Sequence, residues 1–309
     1  MLVAVVGPTA TGKSDLALAL GDALGGPQAV EVIGADAMQL YRGMDIGTAK
    51  VPVDQRRGFR HHQLDVLDVH EDASVAAYQM HARADIDDVE ARGKTALLTG
   101  GSGLYVRAVL DPIEFPGTDP KVRAQLEADV AQLGPEALHR RLADLDPASA
   151  TRIDARNARR VVRALEVIEL TGKPFSATLP SYQYVRDTLQ IGLRLPDQVL
   201  DQRIARRTQA MFTQGLVDEV AELREHGLAQ TKTASRATGY REILALLDGE
   251  MSEQEAKDAI SLATRQLARR QIKWFRRDPR IHWLDPTEPG LVDRTVALLG
   301  DLKDSVALA

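Results

Sequence analysis

Over the first hundred positions, hydrophobic residues fall in short uninterrupted runs separated by helical patterns. LVAVV (2–6) is apolar throughout and stops at Gly7. Such a run, with no polar alternation, predicts a buried parallel strand. Leu16, Leu20 and Leu24 then recur at helical spacing and predict a helix with one apolar face. AVEVIGAD (29–36) predicts a second strand ending at Asp36, and HHQLDVLD (61–68) a third. ASVAAYQMHARADIDDVEARG (73–93) reads as a helix closed by Gly93. KTALLTGG (94–101) is a further strand that runs into a glycine turn. Strand and helix alternate, which predicts an α/β doubly wound parallel sheet.

The pattern changes after GTDP (117–120). Residues 121–172 read as helices only, with breaks at LGPE and LDPAS. LQIGLRLP (189–196) returns to strand pattern, and Pro196-Asp197 opens a long helix. More helices follow to residue 277 or so, and IHWLDP (281–286) reads as a last strand. The expected organisation is a core in two parts, 1–117 and 188–309, with a helical insertion at 118–187.

Composition narrows the class. The chain has 309 residues, 44% of them hydrophobic, and no Cys, which excludes a disulfide framework and thiolate metal sites. No run approaches the apolar length that spans a bilayer. Met1 is followed at once by LVAVVG, without a basic leader, so a cytoplasmic protein is expected. A net charge of −5 argues mildly against nucleic acid, but the distribution matters more than the sum. Between Ser261 and Arg280 there are seven Lys/Arg and one Asp.

The most specific local signal is GPTATGKS, Gly7 to Ser14. Gly7 and Gly12 bracket Pro8, Thr9, Ala10 and Thr11 and let backbone N–H groups turn inward around an anion. Lys13 adds a point charge, and the Ser14 hydroxyl is placed for Mg²⁺. A strand precedes the loop and a helix follows, as a phosphate-binding P-loop requires. The loop implies a phosphorylated ligand and leaves the reaction open; ATP and a small-molecule kinase fit it as well.

Other candidates surround it. Asp36, at a strand end, has three readings: a Mg²⁺ ligand, a general base, or a loop cap. TGGSGLY (99–105) is a second glycine turn, which would present Ser102 at the same sheet edge. His61 and His62 are adjacent on a strand and point to opposite faces, so they are read as structural, one buried and one exposed. Arg203, Arg206 and Arg207 begin a helix, with Arg203 and Arg207 on one face. A P-loop enzyme that expels a polyphosphate needs a second cation there; a solvated helix face of arginines fits the spacing equally well. Arg159, Arg160 and Arg163, then Arg236 and Arg241, then Arg265, Arg269, Lys273 and Arg276 form basic clusters. Each alone is a solvated face; together they fit a structured RNA.

These blocks resemble the tRNA dimethylallyltransferases, also called tRNA isopentenyltransferases. GPTATGKS, DAMQLYRGMDIGTAK, GGSGLY, RALEV with ELTGKP, QRIARR, ATGYRE and TRQLARRQIKWFRR occur in family order and cover about residues 3–285. The resemblance implies a P-loop nucleoside triphosphate hydrolase-like core with an inserted helical subdomain that grips the anticodon stem. It implies transfer of a dimethylallyl group from dimethylallyl diphosphate to the N6 amine of adenosine 37 in tRNAs reading UNN codons. Mg²⁺ is the implied cofactor, and a monomer the implied state. Thr9 to Ser14 would surround the diphosphate. Asp36 resembles the general base, Ser102 a residue holding the reacting end of the tRNA, and Arg207 the diphosphate-binding arginine; Lys13 completes the catalytic set. Asp36, Ala37, Met38, Gln39, Ser102, Arg123, Arg159, Arg160, Arg163, Arg236, Gly239, Tyr240 and Arg241 match tRNA-contacting positions. Many members have Ser at the position of Ala37 and Thr at that of Ser102. The zinc finger of eukaryotic members has no counterpart in a chain without Cys, which points to a bacterial-type enzyme.

Overall fold

A computed structural model describes residues 1–178 and 182–307. Among them the strands β1 (Leu2–Val6), β2 (Val30–Gly34), β3 (His61–His62), β4 (Thr95–Gly100), β5 (Thr188–Leu193) and β6 (His282–Leu284) form one sheet. Its order is β3-β2-β4-β1-β5-β6, and every neighbouring pair is parallel. The expected doubly wound core is therefore present. β1 and β2 are buried at every residue, which is why their sequences show no alternation.

Helix α1 (Lys13–Ala23) buries Leu16 and Leu20 against Val3, Val5, Leu97 and Ile191 of the sheet. Leu20 is fully buried; truncating it to Ala would cost about 2–5 kcal/mol. α2 (Val75–Ala91) and α3 (Gly103–Leu110) flank β4, with Ser74 capping the first of them.

Residues 111–183 form a separate unit, which among the described residues holds the α-helices α4 (Pro120–Leu133), α5 (Pro135–Leu145), α6 (Pro147–Arg152) and α7 (Ala158–Thr171). Asp119 caps α4 by accepting the N–H groups of Lys121 and Val122, with Pro120 at the first helical position. Leu126, Leu138, Leu142, Val161 and Leu165 are its core. The unit begins at Asp111 rather than 118 because the strand-free segment before α4 belongs to it. The Arg163 guanidinium donates to the carbonyls of Pro116 and Gly117. The core unit resumes at Tyr184, whose hydroxyl donates to Gln190 and whose ring lies 4.0 Å from the Arg280 guanidinium.

In the second part of the core, α8 (Asp197–Thr213), α9 (Leu216–Glu225), α10 (Tyr240–Leu247) and α11 (Glu253–Phe275) follow β5. Two expectations change. The third strand stops after two residues, because Gln63 (φ 59) and Asp65 (φ 56) turn the chain out of extended conformation. Beyond β6 the chain adds a helix that its sequence pattern had not suggested, α12 (Leu291–Ala307), whose Leu299 joins the cluster around α1.

Candidate active site

Three adjacent strands, β2, β4 and β1, deliver the site from one edge of the sheet. β1 runs into the phosphate loop, β2 into Asp36, and β4 into Ser102. The loop between β1 and α1 needs unusual backbone angles. Gly7 sits at φ 135, and a Cβ there would lie 2.7 Å from the Leu193 carbonyl, so no other residue fits. Gly12 precedes α1 in the left-handed region and leaves the first N–H groups of the helix uncapped and open to an anion. The Lys13 ammonium donates to the Pro8 carbonyl at 2.8 Å, as does the Thr11 hydroxyl at 2.9 Å.

The Asp36 and Ser102 turns are laced together. The Ser102 N–H donates to the Ala35 carbonyl at 3.2 Å, and the Ser102 hydroxyl accepts the Ala37 N–H at 3.1 Å. The hydroxyl proton of Ser102 is thereby left to donate elsewhere. Asp36 accepts the Met38 N–H through Oδ1 at 3.1 Å. From α8, the Arg207 guanidinium donates to the Thr9 hydroxyl at 2.7 Å.

These groups stand between two cavities of the core unit. One, of about 690 Å³, is walled by the phosphate loop, including Lys13 and Ser14, and by Arg203. The other, of about 320 Å³, is walled by Ala37, Met38, Ser102, Arg236 and the apolar side chains of Met211 and Ile260. Thr9, Asp36, Thr48 and Arg207 line both. A phosphorylated molecule in the first cavity and an acceptor in the second would meet at Asp36.

The charges are tuned by burial. Burial lowers Lys13 from 10.5 to about 8, with Asp36 opposing and Arg207 reinforcing the shift. Burial raises Asp36 above the ordinary carboxylate value, against the Met38 N–H and the two cations. A carboxylate so placed is a better proton acceptor than one in water. Among the described residues no group of three or more His, Cys, Asp or Glu gathers to hold a metal. His62 is buried and paired with Glu31 at 2.8 Å, while His61 is only partly exposed, in keeping with a structural role.

The loop joining β2 to β3 carries much of the wall. Glu219 of α9 accepts the N–H groups of Asp45, Ile46 and Gly47 at 3.1, 2.7 and 3.2 Å. It also accepts the Tyr240 hydroxyl at 2.6 Å. The Tyr240 ring lies so close beneath Gly47 that a Cβ there would approach it to 2.5 Å. The Lys50 ammonium is buried and donates to the Tyr41 carbonyl and to the carboxylates of Asp45 and Asp65. Gln39 donates to the carbonyls of Thr48 and Ala49.

Lys13, Ser14, Asp36, Ala37, Met38, Gln39, Ser102, Arg207 and Arg236 all line one or both of these cavities. Tyr240 does not present its side chain to an RNA. It is fully buried, and its role is to support the 45–47 loop together with Glu219. Gly239 is buried as well, whereas Arg241 is exposed and pairs with Glu242. In the helical unit, Arg123 and Arg163 both bind the buried Glu166 carboxylate, at 2.6 and 2.8 Å; Arg159 and Arg160 are exposed. Arg269 pairs with Asp201 at 2.8 Å. Glu219 and Gln271 escape a reading of the sequence, because their partners lie far away along the chain.

The IPP transferase family model matches residues 39–278. The tRNA dimethylallyltransferase of Thermobifida fusca is 57% identical over 306 residues, covering 98% of this chain and 95% of the relative. The full-length tRNA isopentenylpyrophosphate transferase of Bacillus halodurans superimposes with a TM-score of 0.72 at 38% identity, over 99% of this chain and 98% of that one. A eukaryotic dimethylallyltransferase acting on tRNA superimposes with a TM-score of 0.83 at 26% identity, over 98% of this chain and 79% of that one. With these matches spanning both the core and the helical unit, the chain belongs to the IPP transferase family.

Proposed function

We infer that the chain is a tRNA dimethylallyltransferase that moves a dimethylallyl group from dimethylallyl diphosphate to the N6 amine of adenosine 37. The observation that carries this reading is the position of Asp36, which lines both the phosphate cavity and the acceptor cavity. A kinase would use the same loop, but the acceptor would then take a phosphoryl group. The relatives described above bear names of tRNA prenyl transfer.

In this reading, an adenine flipped out of the anticodon loop enters the acceptor cavity. Its amine nitrogen forms a bond to the allylic carbon of the donor as the bond from that carbon to the diphosphate oxygen breaks. Asp36 takes the amine proton; its Oδ1 is engaged by Met38, which leaves Oδ2 for that task. The departing diphosphate is held by the loop N–H groups, Lys13 and Arg207. An aromatic amine is a weak nucleophile, so stabilising the leaving group carries much of the barrier.

Mg²⁺ fits the residues present. Ser14 lines the phosphate cavity, and its hydroxyl would be the side-chain ligand to the ion. When bound, it neutralises charge on the diphosphate. We further read the enzyme as a cytoplasmic monomer acting on tRNAs for codons that begin with U. No helix among the described residues is long and apolar enough to cross a membrane.

Incubation with unmodified tRNA and carbon-labelled dimethylallyl diphosphate, beside a tube with labelled ATP, tests the reading. Label should pass to tRNA only from the prenyl donor. Transfer from ATP alone would assign a kinase.

A further inference from the structure

Gln271 lies on α11, in a part of the chain where basic residues draw attention, and it is uncharged and buried. Its side chain reaches between the two loops that hold the reactants. Oε1 accepts the Thr9 N–H of the phosphate loop at 2.9 Å. Nε2 donates to the Gly101 carbonyl of the second glycine turn at 2.9 Å. Each contact leads, through one further residue, to a group on the walls of the two cavities. Thr9 receives the Arg207 guanidinium on its hydroxyl, and Gly101 is followed by Ser102, whose hydroxyl holds Ala37 beside Asp36.

We propose that Gln271 is a positioning residue: a two-ended amide brace that fixes the separation between the diphosphate loop and the acceptor turn. The neutral amide suits the task because it offers a donor and an acceptor at one end without adding charge to a crowded electrostatic site. The sheet sets the spacing of β1 and β4, and beyond their ends Gln271 hydrogen-bonds to both loops. Reaction requires the attacking and leaving atoms to stand about 3–3.5 Å from the reacting carbon, and a misplacement of about 1 Å costs about a hundredfold. The brace spans that gap. It rests on the transferase reading, since it assigns a leaving group to one loop and an acceptor to the other.

The test is Gln271→Met, which keeps length and volume and removes both hydrogen bonds. Single-turnover transfer with both substrates bound should slow by about 10- to 100-fold. KM for each substrate, and affinity for inorganic diphosphate, should stay within about threefold. The Thr9 amide should exchange its hydrogen faster. An unchanged single-turnover rate would overturn the proposal, as would equal losses in rate and in binding of both substrates. Should the Met variant fail to fold, Gln271→Glu decides the matter. Its carboxylate still accepts the Thr9 N–H but repels the Gly101 carbonyl, so a slow chemical step supports the brace and a wild-type step refutes it. A wild-type protein that transfers no prenyl group at all would instead refute the transferase reading, which separates the two failures.

Discussion

Arg207 and Thr9, 198 residues apart in sequence, are joined by a guanidinium-to-hydroxyl hydrogen bond of 2.7 Å. The bond sets a cation from α8 against the phosphate loop, on the wall shared by both cavities. Arg207→Ala should therefore slow turnover by about 10²–10³-fold, the usual cost of losing a preorganised charge on a leaving group. Arg207→Lys should recover only part of it, because an ammonium lacks the fork that reaches Thr9 and the diphosphate together. Steady-state kinetics with varied donor measure both.

Asp36→Ala should slow transfer by about two to four decades while tRNA binding persists. In the proposed reaction Asp36 would act as a base only when ionised, and burial raises its pKa. kcat/KM should accordingly rise with pH through an ionisation above the ordinary carboxylate value of 3.8, and fall away below it. The sign for stability is opposite. Because the folded state holds the proton more tightly than the unfolded one, ionised Asp36 destabilises the fold above its folded pKa. Asp36→Asn should raise the melting temperature at neutral pH, and that gain should vanish in acid.

Lys13 should report on the phosphate site through protons. Its pKa is lowered to about 8, so near pH 8.5 much of it is neutral. A diphosphate in the loop favours the charged form, and binding should then take up a proton. Calorimetry in buffers of different ionisation enthalpy measures the uptake, and Lys13→Met should abolish it. The empty protein should also gain stability from this group as pH rises from about 8 to 10.5, where the unfolded chain binds the extra proton.

Glu219→Ala would leave three N–H groups and the Tyr240 hydroxyl without their acceptor. We expect a loss of about 3 kcal/mol in chemical denaturation, from several unsatisfied donors partly rescued by water. Turnover should fall with it, because Gly47 and Thr48 line the acceptor cavity.

Exposed arginines should act differently from the site residues. Arg159→Ala and Arg160→Ala should weaken tRNA binding without changing the single-turnover rate. Each lost phosphate contact should flatten the plot of log affinity against log salt by about 0.7–0.9. Filter binding across a salt series reads this.

Much of this site is legible locally. The phosphate loop, Asp36 and the Ser102 turn each occupy a strand end, where a short stretch of sequence dictates both backbone and chemistry. By spacing alone Arg207 is one of three arginines; the family resemblance singles it out, and the fold sets it against Thr9. Gln271 is separated from Thr9 by 262 residues and Glu219 from Gly47 by 172, so no periodicity or spacing connects them. Tyr240 enters only as a position matched by the family resemblance, and no local pattern shows that tertiary packing turns its ring into the core. The third strand misleads for a local reason, since apolar residues at 64, 66 and 67 suggest extension where Gln63 and Asp65 take left-handed angles.

The central claim is that the P-loop holds a diphosphate that leaves intact while the carbon attached to it is transferred. The most direct measurement is the stoichiometry of released phosphate against modified nucleoside, after reaction of the wild-type enzyme with dimethylallyl diphosphate and unmodified tRNA. We predict inorganic diphosphate and N6-isopentenyladenosine, mole for mole. Orthophosphate in place of diphosphate, or prenyl label on another atom or nucleoside, would contradict the account.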